Sequence, residues 1–230
     1  MILIPAYNAE RWVGRVVSDV AALSREAAVL VVDDGSTDMT ATAAREAGAT
    51  VVSHERNLGK GAALRTGFER FLKTDLEAVI TLDADGQHSA REIANLVDRW
   101  QATGADIVVG SRRRDLGSMP LARVLSNAVS SRLVSLSAGR RIPDSQSGFR
   151  LLTRRVVQDV RISSDGFAAE SELLIKAGRR GFTIESAPIS TIYADERSFI
   201  NPLKQPILFM VLIVRSLFWR FRRIDRTPAK

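Results

Sequence analysis

Two carboxylates stand at positions i and i+2 where an apolar run ends, in Val79-Ile80-Thr81-Leu82-Asp83-Ala84-Asp85-Gly86-Gln87-His88. In extended backbone such side chains point to the same side, so Asp83 and Asp85 can offer oxygens to one divalent cation. Mg²⁺ or Mn²⁺ held there would neutralise a departing pyrophosphate. An isolated Asp-x-Asp-Gly is commonly a solvated turn. Here the preceding run is apolar throughout, as expected of a strand buried on both faces of a parallel sheet, and such sheets bind ligands at the carboxyl ends of their strands.

Other polar groups follow apolar runs in the same way. The first run leads into Pro5-Ala6-Tyr7-Asn8, which puts Tyr7 at the sheet's carboxyl edge, able to stack on a nucleobase or simply to pack. The second ends in Val31-Val32-Asp33-Asp34-Gly35-Ser36-Thr37-Asp38. Asp34 reads as ligand-facing, an acceptor for base or ribose, whereas Asp33 supports the loop and Asp38 opens the next helix. Asn57-Leu58-Gly59-Lys60-Gly61 lacks the glycine spacing and the Ser or Thr of a Walker A loop, although a helix N-terminus with one Lys can favour an anion. Gly61 reads as a packing residue, Glu170 and Glu172 as acids in a first helical turn, and His54 and His88 lack metal-ligand spacing.

The elements that must position these groups alternate. Ile2 to Ile4, Ala28 to Val32, Thr50 to Ser53, Ala78 to Leu82 and Asp106 to Val109 read as short strands. Helical spacing of apolar residues covers Ala9 to Leu23, Asp38 to Ala47, Gly59 to Leu72 and Ala90 to Trp100, with Ser36 and Ser89 as caps near two of the starts. This is the pattern of an open α/β sheet. After Gly110 an Arg-rich loop, a helix from Leu121 to Leu136, the loop Asp144 to Arg150 and a helix through Glu170 to Ala177 should form the acceptor half.

The chain has 230 residues, 45% of them hydrophobic, with no Pro, Gly or Ser-rich linker, so one domain with a C-terminal appendage is expected. The absence of cysteine excludes disulfides and thiolate metal sites and fits a reducing compartment. No signal peptide is expected ahead of the first strand. The net charge is +7, but residues 201–230 hold seven Lys or Arg against one Asp, a local +6. A nearly neutral body with a basic tail argues against nucleic-acid binding.

Taken together, Pro5-Ala6-Tyr7-Asn8, Val32-Asp33-Asp34-Gly35-Ser36, Asn57-Leu58-Gly59-Lys60-Gly61, Asp83-Ala84-Asp85-Gly86-Gln87-His88 and Asp144-Ser145-Gln146-Ser147-Gly148-Phe149-Arg150 resemble family 2 glycosyltransferases. Within them the chain looks like the polyprenyl-phosphate, dolichol-phosphate mannosyltransferase-like branch. The resemblance spans residues 1–200 and implies the α/β GT-A fold, a mostly parallel sheet flanked by helices, a nucleotide-diphosphate sugar donor and inversion at the anomeric carbon. It implies that Pro5, Ala6, Tyr7, Asp34 and Ala84 bind the donor, that Asp83, Asp85 and Gln87 hold Mg²⁺ or Mn²⁺, and that Arg112 and Arg197 contact phosphate. Arg113, Arg123 and Arg150 then fall to the acceptor phosphate, and Asp144 joins Asp83 and Asp85 among the catalytic residues. Two positions depart from the family pattern: Ala9 stands where an acid follows Tyr-Asn, with Glu10 one place later, and Phe199 follows Ser198 where a Lys is usual.

A sugar hydroxyl acceptor would need a base, for which Asp144 is the candidate. A polyprenyl phosphate needs none, since a phosphate monoester with a second pKa near ~6 is already anionic at neutral pH; Asp144 then orients an Arg or the sugar. A catalytically idle nucleotide-sugar binder is the third reading.

Residues 201–230 form the expected membrane-association segment. Its apolar run, Ile207 to Val214, falls short of the ~20 residues that span a bilayer. An interfacial helix with Trp219 at headgroup level and arginines on anionic lipid fits it, with burial on the domain or in a dimer as alternatives. A peripheral protein at the cytoplasmic membrane face is expected, with a homo-oligomer or a membrane-protein partner left open.

Overall fold

The computed structural model describes residues 1–23, 27–112, 121–190 and 204–219, with side chains of 121–123 and 204–205 left aside. Seven strands, β1 (Ile2–Ala6), β2 (Val29–Asp33), β3 (Thr50–Ser53), β4 (Ala78–Thr81), β5 (Ile107–Arg112), β6 (Arg150–Thr153) and β7 (Ile184–Ile189), form one sheet in the order β3-β2-β1-β4-β6-β5-β7. Every residue of β1 and β2 is buried, as their unbroken apolar character requires of strands covered on both faces. β3 lies at an edge with its two end residues exposed, which suits its alternation of Thr, Val and Ser.

The helices are α1 (Glu10–Leu23), α2 (Thr40–Glu46), α3 (Lys60–Leu72), α4 (Ile93–Thr103), α5 (Leu121–Ala138), α6 (Arg154–Asp159), α7 (Ala168–Arg180) and α8 (Lys204–Leu217). They cover both faces. Successive strand side chains point to opposite faces, so Leu3 joins a cluster with Leu64, Phe71, Leu174 and Leu212, while Ile4 joins Val13, Val17, Val31 and Leu96 on the other side.

β6 matters most for the site. It is antiparallel to both β4 and β5, which run with the other strands. An antiparallel strand starts at the rim where parallel strands end, so Arg150 lies opposite Thr81 and the preceding loop is laid over the carboxyl end of β4. Neither β6 nor β7 stands out in the sequence, because β6 runs from a polar loop straight into α6 and β7 is interrupted by Glu185, Ser186 and Pro188.

Helix starts differ from expectation. α2 begins at Thr40, after Met39, and Ser36 instead accepts a hydrogen bond from Asn8 N at 2.9 Å. Ser89 precedes a short 3₁₀ turn, Ala90–Glu92, without a side-chain capping bond.

α8 is packed as well as apolar. Leu212, Ile213 and Ser216 are buried against α5 and α7, and Arg179 of α7 donates to Ser137 O of α5 at 2.6 Å and to Ser216 O of α8. The opposite face, with Ile207, Met210, Val211, Val214 and Leu217, stays exposed. No helix among the described residues is long and apolar enough to cross a membrane.

α3 approaches the sheet closely at Gly67, where an added Cβ would lie 2.9 Å from Leu3 Cγ. Gly67→Ala therefore should lower the melting temperature. Overpacking costs about 1–3 kcal/mol and outweighs the ~1 kcal/mol that alanine gains in a helix interior. A thermal melt that rises instead would show that Leu3 yields freely.

Candidate active site

The carboxyl rim of the sheet gathers charged groups from four separate elements. Asp83 follows β4, Lys60 opens α3, Glu170 lies in the first turn of α7, and Asp144 precedes β6. Lys60 Nζ donates to Asp83 Oδ1 at 2.6 Å and to Glu170 Oε1 at 2.9 Å, with its side chain only 15% exposed. Burial alone would depress the ammonium's pKa; the two carboxylates reverse that and raise it above the ordinary lysine value. Burial likewise works to raise Asp83, but Lys60, then His88 and Arg150, hold it below the usual carboxylate range.

Lys60 is placed by its glycine neighbours. An added Cβ at Gly61 would lie 2.8 Å from Ala169 Cβ, and Gly59 has φ +95°, a conformation side chains disfavour. The loop 163–166 can therefore reach α3, and Gly61 N donates to Asp165 O at 2.6 Å. Glu172 clamps this loop, accepting from Ser163 N at 2.9 Å and Ser164 N at 2.7 Å while pairing with Lys176.

Asp34 differs from its expected ligand-facing role. It is 2% exposed; Oδ1 accepts from His54 Nδ1 at 2.6 Å and Leu58 N at 3.0 Å, and Oδ2 from Gly59 N at 2.7 Å. The carboxylate thus fixes the turn that delivers Lys60. His54, which carried no expectation, also bonds Thr66 Oγ1 of α3 at 2.9 Å. Asp33 supports its own loop by accepting from Ser36 N at 3.1 Å. Glu10 accepts from Met39 N at 2.9 Å, an interhelical tie at the place where the family acid is displaced by one residue.

Asp144 is buried and grips Arg112 with both oxygens, Oδ2 to Nε at 2.7 Å and Oδ1 to Nη2 at 2.9 Å. Burial opposes ionisation, yet the Arg112 pair, with Gln146 N, holds its pKa below the usual carboxylate range. Arg150, expected on the acceptor phosphate, is 3% exposed and donates to the carbonyls of Ser147, Glu170 and Ser145 at 2.7, 2.7 and 2.9 Å. Its guanidinium ties the Asp144–Gly148 loop to α7, because a buried fork of donors needs acceptors wherever the chain supplies them. Arg113 and Arg197 lie outside the described residues, as does the side chain of Arg123.

Pro5, Ala6 and Ala84 are buried at the ends of their strands, and Tyr7 is half-buried at the rim. Asp85 accepts from Gln87 N at 3.0 Å in the turn made by Gly86 at φ +73°. Gly148 is required beside Asp83: an added Cβ would lie 2.7 Å from Asp83 Cγ. Two carboxylates and the Gln87 amide oxygen are the hard donors that Mg²⁺ or Mn²⁺ takes. Among the described residues no three of His, Cys, Asp and Glu form a metal cage, so an ion here would draw remaining ligands from a substrate's oxygens. The donor set fits the ion on chemical grounds.

His88 is buried, its ring 5.4 Å from Phe149, with no partner for Nδ1 among the described residues; burial first, with Arg112 and Lys60, lowers its pKa and favours the neutral ring.

Two measurements check this geometry. Glu172 is held at a pKa of about 2 against 4.5 unperturbed: burial works against it, but Lys176, Ser164 and Ser163 outweigh it. A depressed carboxylate stabilises the fold above its unfolded pKa and ceases to do so as pH falls through the folded one. Denaturant midpoints measured from pH 5 downward should therefore fall for the wild type between about 4.5 and 2 and fall less steeply for Glu172→Gln. Gly148→Ala should keep the circular dichroism spectrum but weaken Mn²⁺ and nucleoside-diphosphate binding about 100-fold, since displaced reacting groups commonly cost that much; unchanged calorimetric affinity would refute the close approach.

Known proteins resemble this chain in sequence and in fold. The family model described as glycosyl transferase family 2 matches residues 1–161. The UDP-N-acetylglucosamine–dolichyl-phosphate N-acetylglucosaminyltransferase of Methanococcus voltae is 29% identical over 84% of this chain and 86% of its own. The polyprenol monophosphomannose synthase of Mycolicibacterium smegmatis is 29% identical over 83% and 76%. The structure of Mycobacterium tuberculosis glucosyl-3-phosphoglycerate synthase with Mn²⁺, UDP and glucosyl-3-phosphoglycerate superposes with a TM-score of 0.71 at 22% identity, over 94% of this chain and 77% of that one. Its fold is the GT-A fold, which the seven-stranded, mostly parallel sheet of this chain shares. The chain belongs to glycosyl transferase family 2 and resembles that family's polyprenyl-phosphate branch.

Proposed function

We propose that this glycosyltransferase moves a hexosyl group from a nucleotide-diphosphate sugar, a GDP- or UDP-sugar, to polyprenyl phosphate with inversion at the anomeric carbon. The observation that carries the acceptor class is the bidentate grip of Asp144 on Arg112. A carboxylate with both oxygens on a guanidinium and a depressed pKa is a weak base, poorly suited to strip a proton from a sugar hydroxyl. An acceptor phosphate needs no such step. The relatives named for dolichyl and polyprenol phosphates support the same class.

In this reading one acceptor phosphate oxygen attacks the anomeric carbon as the bond from that carbon to the donor diphosphate breaks. Asp83, Asp85 and Gln87 would hold Mg²⁺ or Mn²⁺, which supplies charge neutralisation for the departing diphosphate. Pro5, Ala6 and Ala84 border the nucleoside, and Tyr7 offers a stacking face. Asp34 acts on the donor through the turn it fixes. Arg112, oriented by Asp144, presents guanidinium charge to phosphate, and Arg113, Arg123 and Arg197 are further cations for the two phosphates. Residues 1–200 would carry the transfer, and residues 201–230 would hold the protein peripherally at the cytoplasmic membrane face, where their +6 charge favours anionic lipid.

Transfer of radiolabel from a panel of nucleotide sugars into the organic phase, with polyprenyl phosphate and Mn²⁺, should occur for one donor and vanish in Asp85→Ala. No organic label from any donor, together with label on a soluble sugar or phosphorylated acid, would sink the lipid acceptor. Asp144→Asn should lower kcat/KM about 100-fold through a misplaced Arg112 while leaving the shape of the pH–rate profile unchanged. Loss of the profile's acidic limb would instead make Asp144 a base and favour a hydroxyl acceptor.

A further inference from the structure

The end of α7 remote from the catalytic rim carries cations that the transfer does not use. A cleft of about 360 Å³ opens there, lined by Gln158, Asp159, Val160, Arg161, Lys176 and Arg180. Lys176 is fully engaged, donating to Arg161 O at 2.7 Å and Ser163 Oγ at 2.9 Å besides its pair with Glu172. The two guanidinium groups are not. Arg161 is exposed and Arg180 Nε is buried, and among the described residues the first has no ion-pair partner and the second no hydrogen-bond partner. Asp159 lies in the same cleft without pairing to either among the described residues.

The cleft adjoins the end of α8 through Lys176 and Trp219. Lys176 Nζ lies 5.1 Å from the Trp219 ring, which closes the C-terminal end of α8. Next to Trp219, Phe218 is 79% and Leu217 66% exposed. Arg179, between the helices, joins the C-terminal ends of α5 and α8, and Leu136 in the last turn of α5 is 71% exposed. Apolar side chains this open are costly in water, and beside unpaired guanidinium groups they match a ligand with both an anionic head and a hydrocarbon tail.

We propose that this corner docks on an anionic bilayer, with the Arg161–Arg180 cleft taking a lipid headgroup phosphate and Leu136, Leu217 and Phe218 entering the acyl boundary. The site is separate from the polyprenyl-phosphate acceptor position. Glu170 and Arg180 are ten residues apart on α7, about 15 Å at 1.5 Å per residue. The proposal deepens the membrane reading above by naming the residues and the lipid class; it stands even if the transferred sugar or its acceptor is something else.

The test is co-sedimentation of the full chain with vesicles of phosphatidylcholine alone or with a third phosphatidylglycerol. Wild-type protein should favour the anionic vesicles. The double variant Arg161→Ala, Arg180→Ala should bind them roughly 30-fold more weakly, from about fivefold per basic residue at an anionic surface. Arg45→Ala, Arg91→Ala removes the same charge from helical segments on the other face of the sheet and should lose far less. Phe218→Ser should weaken binding to anionic vesicles while leaving the circular dichroism spectrum unchanged. Equal losses in the two double variants would reduce the effect to bulk charge and overturn the site. Saturable binding of inorganic phosphate in a calorimeter, abolished by the Arg161, Arg180 variant without any vesicle preference, would make it a site for a soluble phosphate and overturn the docking. A sedimentation shift from dimer to monomer on Phe218→Ser, with vesicle binding unaltered, would assign the corner to a second copy of the chain and also overturn it. Transfer to detergent-dispersed polyprenyl phosphate separates the two readings: the cleft variant should keep wild-type turnover there, and an inactive wild type that still selects anionic vesicles would refute only the proposed reaction.

Discussion

One buried ammonium lies at the centre of the site. Lys60 stands between Asp83 and Glu170, acids delivered by the end of β4 and the start of α7, and its charge holds the buried Asp83 below the usual carboxylate range. Removing Lys60 would leave two buried carboxylates without their shared counter-charge, which is costly by several kcal/mol. The surrounding backbone serves this arrangement. Asp34 fixes the turn before Lys60, Gly59 and Gly61 admit the 163–166 loop, and Glu172 holds that loop against α3. Helix, strand and loop are therefore coupled through a few short polar contacts.

The reversed strand β6 supplies the other half. Because it begins beside the ends of parallel neighbours, its leading loop carries Asp144 and Gly148 to the rim, where Gly148 leaves room for the Asp83 carboxylate. Arg150 secures that loop from beneath through three carbonyls, and Asp144 fixes Arg112 above it. The rim thus presents acids and guanidinium groups at separate, fixed positions. Such a division suits the proposed reaction, in which an acid-bound cation would meet the diphosphate and guanidinium donors the other phosphate.

The α/β rhythm, the acidic ends of β2 and β4 and the basic apolar tail were legible because each follows from local pattern: apolar runs of strand length, helical spacing, and charge placed where such runs stop. Asp83 and Asp85 were legible for the same reason. Other roles were not. Asp34 and Arg150 carry the residue types of ligand contacts, yet their partners are backbone amides of residues 58 and 59 and carbonyls of residues 145, 147 and 170. His54 and Glu170 looked ordinary, although a lone His after a strand and an acid directly after Gly166-Phe167-Ala168-Ala169 were the signals that could have marked them.

The sequence by itself determined the first five strands, the helices between them, and where carboxylates meet the sheet's edge, since burial and periodicity act over neighbouring residues. Only the tertiary structure decided that β6 runs backwards between β4 and β5, that Lys60 belongs to Asp83 and Glu170, and that Asp144 belongs to Arg112. Those pairings join residues 23 to 110 positions apart, and electrostatic partners at such separations are chosen by how the sheet is ordered and its helices packed, which no local pattern encodes.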